Sequence, residues 1–346
     1  KELGADYIWL TPFFVSPQND SGYDVEDYYQ IDPRYGTMED VEELIAKAAE
    51  RGIGLMFDMV FNHVSTRHQW FRRAMEGDPY YKEFFFFRRG RAKGQPPTNW
   101  ESKFGGSAWE YVEKFDEYYL HLFDVTQADL NWDNENVRRE VQKIVRFWMD
   151  KGVKGFRFDV VNLISKAAFE DDENGDGRRF YTDGPNIHRY LKELHDATFG
   201  TDDGIVTVGE MSSTSIENCY RYAGRKTSEL SMVFSFHHLK VDFMGNEKWV
   251  LVPADFQKLK SIVFQWQTGM AKHDAWNAVF WCNHDQPRVV SRFGSEGGYW
   301  KESAKMLATI VHCLRGTPYV YQGEELGMTN ADFTEISQFR DVESLN

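Results

Sequence analysis

Short apolar segments alternate with helix-like segments along most of the chain. Segments 38–52 and 136–152 place apolar side chains at helical spacing, and a glycine ends each of them. Strands that alternate with helices are typical of a parallel sheet, and eight such units close a (β/α)8 barrel. We therefore predict an α/β fold of the TIM-barrel type. The predicted strands are 7–10, 54–60, 155–159, 205–209, 232–236, 278–282 and 319–322.

One connection between predicted strands is much longer than the others. It runs from Val60 to Gly155, and its segment 80–111 is aromatic, contains Gly and Pro, and lacks periodicity. We predict a small domain inserted there, after the third barrel strand. Because the chain starts in helix-like sequence, we expect the first barrel strand to lie outside it. The predicted parts are 1–61 (barrel), 62–126 (inserted domain) and 127–346 (barrel).

Charge and composition exclude several classes of partner. The 346 residues carry a formal net charge of −14, whereas nucleic-acid-binding proteins need basic surfaces. No apolar run reaches the ~20 residues of a membrane helix, so we expect no membrane partner. The three cysteines, Cys219, Cys282 and Cys313, form neither a metal pattern nor a disulfide framework. This favours a reducing compartment, and we expect a cytoplasmic protein.

Polar side chains gather where the predicted strands end. Arg157 and Asp159 are two residues apart on one strand, so they point to the same side. Taken singly, Asp159 is explained as a helix cap and Glu210 as a surface acid. Caps do not concentrate at one face of a barrel, however, and that face carries the chemistry of TIM-barrel enzymes. The other polar residues at strand ends are Asn62, His63, His237, His238, His284, Asp285, Gln322 and Glu324.

Three acids at one barrel face match the needs of glycoside hydrolysis. That reaction uses one carboxylate as nucleophile and a second carboxyl group to protonate the leaving oxygen. We expect Arg157 to keep Asp159 ionised, as a nucleophile requires. A less compensated Glu210 would hold its proton as the acid. Asp285 would favour the positively charged transition state.

Four segments carry a resemblance to a known family. In order along the chain, "DMVFNH" (58–63), "GFRFD" (155–159), "VGE" (208–210) and "NHD" (283–285) resemble the marker segments of glycoside hydrolase family 13, the α-amylase family. The resemblance implies Asp159 as nucleophile, Glu210 as general acid/base and Asp285 as transition-state stabiliser. It also implies an exo-acting enzyme in which Tyr23 stacks on the −1 sugar, and a C-terminal β-domain that lies outside this chain. The residues that it places around the −1 sugar are Tyr23, Asp24, His63, Arg157, His284 and Arg340.

Longer segments resemble the branch of this family that hydrolyses trehalose 6-phosphate, among them "DGRRFYTDGP" (176–185) and "FWCNHDQPRVVSRFG" (280–294). Val160 resembles the residue found in enzymes that cut α-1,6 or α,α-1,1 bonds. A phosphate monoester carries about two negative charges, so an acidic protein needs a local basic patch to bind it. We expect contacts from His237, Lys240 and Lys248, although both lysines are equally explained as solvated surface residues. Arg178 and Arg179 are the next candidates.

Other functions remain open at this stage. The nearest is an oligo-1,6-glucosidase or dextran glucosidase that acts on neutral sugars. A transferase or isomerase of the family would carry the same acids. The remote alternative is the non-catalytic amylase-like domain of amino-acid transporter heavy chains. The resemblance implies no required cofactor and no metal ligand in this chain, and a family Ca²⁺ loop is expected outside it. The motif "DENGDG" (172–177) is interpreted as a polar turn.

Overall fold

The computed structural model describes residues 1–92, 94–227, 229–245, 250 and 252–345. The chain divides into two compact units, each described by itself below. The first unit comprises Lys1–Ser212, Ser228–Leu230 and Phe339–Asn346. The second comprises Ser213–Thr227 and Ser231–Gln338.

The first unit contains eleven strands and seven α-helices among its described residues. The strands are β1 (Tyr7–Leu10), β2 (Phe14–Val15), β3 (Asp27–Ile31), β4 (Gly54–Met59), β5 (His63–Ser65), β6 (Phe87–Arg88), β7 (Trp109–Val112), β8 (Glu117–Leu120), β9 (Gln127–Asp129), β10 (Gly155–Phe158) and β11 (Val206–Glu210). The helices are α1 (Met38–Glu50), α2 (Gln69–Glu76), α3 (Pro79–Lys82), α4 (Glu135–Asp150), α5 (Arg178–Tyr181), α6 (Ile187–Ala197) and α11 (Val342–Leu345).

A parallel sheet with the strand order β1-β4-β10-β11 forms the centre of this unit. Strands β4 and β10 are buried along almost their whole length, as expected for parallel strands covered on both faces. Helix α4 covers one face, where Trp148 packs edge-on against Phe57 with ring centroids 5.1 Å apart. Helix α1 begins at a capping box, in which Thr37 and Asp40 each bond the other's backbone. The helix–strand alternation thus builds the sheet that the sequence predicts.

Smaller antiparallel sheets lie in the connections of the first unit. Strands β2 and β3 pair with each other, and β6-β8-β7 form a three-stranded sheet. Strands β5 and β9 pair with His63 opposite Asp129. An aromatic cluster packs around the buried Trp100, which stacks on Phe169 with centroids 5.3 Å apart. This packing explains the aromatic, aperiodic composition of the long connection.

The second unit continues the alternation of strands and helices. Its strands are short, and β13 pairs in parallel with β14 while Val233 in β12 forms a parallel bridge to Asn277. Among its described residues, the elements are α7 (Ile216–Ala223), β12 (Met232–Phe234), α8 (Phe256–Lys272), β13 (Ala278–Val279), α9 (Val289–Phe293), α10 (Trp300–Cys313) and β14 (Thr317–Pro318).

The structure corrects one predicted strand. Six of the seven predicted strands and both predicted helices are present within a few residues of their expected bounds. The strand expected over 319–322 is wrong, because β14 ends at Pro318. Its partner β13 is only two residues long, so the ladder ends after Tyr319 N donates to Val279 O at 2.8 Å. Within the described ranges, no helix is both long and apolar enough to cross a membrane.

Candidate active site

Arg157 is the centre of a buried charge cluster in the first unit. It lies in β10, with Asp58 of β4 opposite it on one side and Val208 of β11 on the other. Its Nη1 donates to Asp58 Oδ1 at 2.8 Å and to Asp159 Oδ1 at 2.6 Å, and its Nη2 donates to Glu210 Oε2. The guanidinium is 1% exposed and the Asp58 carboxylate is fully buried. One cation therefore joins three carboxylates from three adjacent strands.

Burial sets the charge states in this cluster. Burial raises the pKa of Asp159 to about 6, although the charge of Arg157 and its hydrogen bond oppose that shift. Burial likewise raises the pKa of Asp58 to about 6 against the pull of Arg157. Burial disfavours the charge of Arg157, but Asp58 and Glu210 more than offset this and hold its pKa well above the ordinary value. At neutral pH, Asp159 is still mostly ionised.

These contacts correct one expectation. The predicted pairing of Arg157 with Asp159 is present and Asp159 is mostly ionised at neutral pH, although desolvation outweighs Arg157 and raises the pKa of Asp159. The expectation that Glu210 is less compensated than Asp159 is wrong, since Arg157 contacts both carboxylates directly. The guanidinium lies between the acids instead of pairing with one of them.

Asp58 was not identified from the sequence as a site residue. Its Oδ2 accepts hydrogen bonds from Trp9 Nε1 at 3.1 Å and from the Tyr23 hydroxyl at 2.9 Å. Both aromatic rings lie over the Arg157 guanidinium, with centroids 5.2 Å and 5.6 Å from its Cζ. Asp58 thereby links Tyr23, a predicted sugar-stacking residue, to the charge cluster.

The backbone turns sharply after Asp159. Val160 has φ 33° and ψ 39°, in the left-handed region that a β-branched residue rarely enters. The chain leaves β10 there and enters a short 3-10 helix, Val161–Leu163. Asn162, inside that turn, exchanges two hydrogen bonds with the Ser212 backbone, at 2.9 Å and 2.8 Å. The strained turn after Asp159 is thus tied to the segment that follows Glu210.

His63 and Asp24 lie beside Tyr23. His63 Nε2 is 3.0 Å from the Tyr23 carbonyl oxygen, and burial lowers the pKa of His63, so its ring is neutral. Asp24 is fully buried and accepts hydrogen bonds from Ser16 Oγ at 2.8 Å and from Asn19 N at 2.8 Å. In this structure its carboxylate holds the preceding loop, and its contact to a sugar stays a prediction.

The remaining residues predicted around the sugar belong partly to the first unit and partly to the second. Asp285 and His284 belong to the second unit, where His284 Nε2 is 3.5 Å from Asp285 Oδ1 and Asn283 Oδ1 accepts from Asp285 N at 2.9 Å. Arg340 is exposed and belongs to the first unit. The roles predicted for these three residues are untested by the geometry.

Among the predicted phosphate contacts, His237 and Lys240 belong to the second unit. His237 stacks on Trp266 with centroids 4.4 Å apart, and burial, helped by Lys240, lowers the pKa of His237 to about 4, so its ring is neutral at physiological pH. Lys240 is exposed, and Lys248 lies outside the described residues. In the first unit, the exposed Arg178 and Arg179 form ion pairs with Asp176 and Asp172.

A scan against protein families identifies the chain. Residues 1–345 match the model of the alpha-amylase catalytic domain. The chain belongs to the α-amylase family. As a member of this family it has a TIM-barrel fold, in which active sites lie at the C-terminal ends of the strands. The cluster around Arg157 is at such strand ends, so its position agrees with that of a family active site.

Relatives within the family are similar over all of this chain. It is 58% identical to the trehalose-6-phosphate hydrolases of Bacillus subtilis (strain 168), over 348 residues, and of Escherichia coli (strain K12), over 346 residues. It is 48% identical over 353 residues to an oligo-1,6-glucosidase of Bacillus cereus. The alignments cover 100% of the chain and 62–63% of these α-amylase family relatives. The chain thus spans under two thirds of their length.

Two solved structures superpose on almost the whole of this chain. The crystal structure of Bacillus licheniformis trehalose-6-phosphate hydrolase superposes with a TM-score of 0.96 at 58% identity, covering 99% of this chain and 62% of that one. Isomaltulose synthase from Erwinia rhapontici superposes with a TM-score of 0.94 at 39% identity, with the same coverage. The backbone of this chain is therefore similar to that of a trehalose-6-phosphate hydrolase and to that of an isomaltulose synthase.

Proposed function

We propose that the chain carries the catalytic centre of a retaining α-glucosidase that hydrolyses trehalose 6-phosphate to glucose and glucose 6-phosphate. The observation that carries the proposal is the contact of Arg157 with both Asp159 and Glu210. The shared guanidinium brings the two carboxyl groups near each other, as the ~5–5.5 Å separation of retaining enzymes requires.

In the proposed mechanism, a carboxylate oxygen of Asp159 forms a bond to the anomeric carbon of the non-reducing glucose. The bond from that carbon to the glycosidic oxygen breaks, and Glu210 gives its proton to this oxygen. Glu210 then takes a proton from water, and the water oxygen replaces Asp159 at the same carbon. Asp285 would stabilise the positively charged transition states. No cofactor is required for these steps.

The phosphorylated substrate is proposed from similarity and charge. Identity to the two trehalose-6-phosphate hydrolases is 58%, against 48% for the oligo-1,6-glucosidase. His237, Lys240 and Lys248 remain the proposed phosphate contacts, with the neutral His237 acting as a hydrogen-bond donor. The phosphate would then be held mainly by the two lysine charges.

The domain boundaries and the cellular location are also proposed. Residues 62–126 would form the small inserted domain, and 1–61 with 127–346 the barrel. The sheet β6-β8-β7 lies within the inserted segment and supports this division, while the Trp100 cluster packs that segment against Val160, Leu163 and Tyr181. Free cysteines at Cys219, Cys282 and Cys313 support a cytoplasmic location.

One assay tests the proposed function. Glucose release is measured from trehalose 6-phosphate, trehalose, isomaltose and maltose at equal concentrations. We expect kcat/KM for trehalose 6-phosphate to exceed that for trehalose by about tenfold or more, because a charge-assisted phosphate contact contributes about 1.5–3 kcal/mol. Isomaltose hydrolysis at comparable efficiency would instead indicate an oligo-1,6-glucosidase. A rearranged disaccharide as the main product would indicate an isomerase.

A further inference from the structure

We propose that Lys166 is a positioning residue that determines which nitrogen of His63 carries the proton, acting through the side-chain amide of Asn62. The structural part of this inference stands without the proposed function. Only its consequence for sugar binding rests on that function. None of the family marker segments contains Lys166, and its hydrogen bonds within the described residues go to Asn62, Leu163 and Asp129, outside the Arg157 cluster.

Lys166 is a buried cation with a complete set of acceptors. Its side chain is 0% exposed, and its Nζ lies 2.7 Å from Asp129 Oδ2, 2.8 Å from Asn62 Oδ1 and 2.8 Å from Leu163 O. An ammonium group has three protons and no acceptor, so three oxygens satisfy it. Burial lowers the pKa of Lys166. The charge of Asp129 and its hydrogen bond oppose that shift and favour the charged form of Lys166.

These contacts fix the orientation of the Asn62 amide. Lys166 only donates, so the Asn62 atom that faces it must be the oxygen. Asp129 Oδ2 only accepts, and it lies 3.1 Å from the other terminal atom of Asn62, which must therefore be the NH2 group. The assignment follows from the charges of Lys166 and Asp129, so the ambiguity between amide oxygen and nitrogen does not arise here.

Two contacts favour the same tautomer of His63. The Asn62 NH2 group lies 3.2 Å from His63 Nδ1, so Nδ1 is the unprotonated acceptor. Burial keeps the ring neutral, and its single proton is then on Nε2, which donates to the Tyr23 carbonyl oxygen at 3.0 Å. Gln127 Nε2 approaches the same nitrogen, but its two protons have acceptors in Asp20 Oδ2 at 2.8 Å and the Tyr23 carbonyl at 3.2 Å.

The consequence concerns the placement of Tyr23. With its proton on Nε2, His63 donates to the Tyr23 carbonyl oxygen and holds that backbone before substrate arrives. The other tautomer would place the lone pair of Nε2 against the same oxygen. Lys166 would thus influence the sugar site through Asn62 and His63.

The test reverses the donor and acceptor roles of the Asn62 amide without leaving an unpaired charge. In the double variant Lys166→Met/Asp129→Asn, one positive and one negative charge disappear together. The NH2 group introduced by Asp129→Asn would then face Asn62, favour its flipped amide and place the Asn62 oxygen against His63 Nδ1. We expect the His63 proton to move from Nε2 to Nδ1. The tautomer is measured from imidazole 15N chemical shifts in protein labelled at histidine, with the His63 signals assigned from the variant His63→Gln.

A second variant and a matched control accompany this experiment. Asn62→Asp keeps Lys166 and places a carboxylate oxygen against Nδ1, so it should move the proton in the same direction even if the double variant does not fold. The control Lys143→Met/Glu140→Gln removes an exposed ion pair with Nζ and Oε1 2.7 Å apart on helix α4, and should leave the tautomer unchanged.

The outcomes separate the two parts of the inference. A wild-type His63 protonated on Nδ1, or an unchanged Nε2–H tautomer in both site variants, overturns it. If the tautomer moves, KM for an aryl α-glucoside should rise about tenfold while kcat changes less, which corresponds to one lost hydrogen bond. A moved tautomer with unchanged kinetics supports the role of Lys166 and contradicts the proposed role of His63 in sugar binding.

Discussion

Arg157 and Asp58 face each other in register on adjacent parallel strands, and the guanidinium donates to the carboxylate at 2.8 Å. The second oxygen of the same carboxylate accepts from Trp9 and Tyr23. Asp58 therefore fixes two things at once: the cation shared by Asp159 and Glu210, and the aromatic ring proposed to stack on the sugar. A residue in this position affects catalysis without touching the reacting bond.

Asp58→Asn tests this linking role. The amide replaces one acceptor oxygen with a donor, so one contact among Arg157, Trp9 and Tyr23 is lost. A buried hydrogen bond to a charged group contributes about 1.5–3 kcal/mol, so kcat/KM for an aryl α-glucoside should fall by about 10- to 100-fold. The control Asp6→Asn alters an exposed carboxylate paired with Lys1 and should change nothing. Unchanged activity in Asp58→Asn would remove Asp58 from the site.

Asp159→Asn should abolish turnover because the amide cannot act as the nucleophile. We expect kcat to fall by more than about a thousandfold. The fold should persist, since Arg157 keeps Asp58 and Glu210 as acceptors. Kinetics and far-UV circular dichroism of the same preparation measure both effects. Turnover above a few per cent of wild type would contradict the assignment of Asp159.

The raised pKa of Asp159 gives the site a stability cost that depends on pH. Below about pH 4 this carboxyl group is protonated in both the folded and the unfolded chain. Between about pH 4 and 6 the unfolded chain has released this proton and the folded protein has not, so the free energy of unfolding falls as pH rises. Denaturant unfolding at pH 4, 5, 6 and 7 should therefore show Asp159→Asn gaining stability relative to wild type across this window. A constant difference would contradict a raised pKa.

Catalytic activity should rise over the same pH range in which the free energy of unfolding falls. Only the ionised Asp159 attacks, so kcat/KM for an aryl α-glucoside should rise with pH and level off above about pH 6. Because the pKa of Asp58 is also about 6 and can add to both slopes, the pH profile of Asp58→Asn is the comparison that isolates Asp159. An acid limb near pH 4 would mean that Arg157 outweighs desolvation after all.

Glu210→Gln separates the acid from the nucleophile. The amide cannot protonate a leaving oxygen, so hydrolysis of trehalose 6-phosphate should fall by roughly 100-fold or more. An aryl α-glucoside with an activated leaving group needs no proton, so formation of the glucosyl-enzyme should slow far less. Pre-steady-state release of the aryl group measures that step. Equal losses on both substrates would exclude Glu210 as the acid.

The phosphate contacts are tested by a ratio of specificities. Lys240→Ala and Lys248→Ala should each lower kcat/KM for trehalose 6-phosphate about tenfold or more and leave an aryl α-glucoside nearly unchanged. Lys301→Ala, which alters another exposed lysine, is the control. Because the pKa of His237 is about 4, its titration should contribute no change in the ratio between pH 6 and 8, so any change there should follow the second ionisation of the phosphate near pH 6. If neither lysine alters the ratio, the phosphate is bound elsewhere.

The sequence sufficed to predict that Arg157, Asp159 and Glu210 come together. Period-two alternation places Arg157 and Asp159 on one side, and parallel strands bring their ends to one edge, so Glu210 joins them. Asp58 was missed because it lies inside a strand, one residue before its end. Its signals are a charge among apolar neighbours in "LMFDMV" and its place at the start of the marker segment "DMVFNH", and it gains meaning once the register with Arg157 is known.

Other features depend on contacts that no local pattern encodes. Two partners of Lys166, the side chains of Asp129 and Asn62, are distant along the chain. Asn62 is 104 residues away, so sequence spacing does not reveal these contacts. The raised pKa of Asp159 reflects burial by the folded protein as a whole. The early end of strand β14 reflects the short length of β13, which the apolar sequence 278–282 does not show.

One guanidinium set among three buried carboxylates also bears on inhibitor design. When the acids ionise, the cluster holds more negative than positive charge, and a neutral sugar does not correct this. A sugar analogue with a protonated amine in its ring would supply the missing charge at the place where the transition state develops it. Such an iminosugar should be selected by its charge as well as by its hydroxyl pattern. The basicity of its nitrogen is therefore as important a design variable as its stereochemistry.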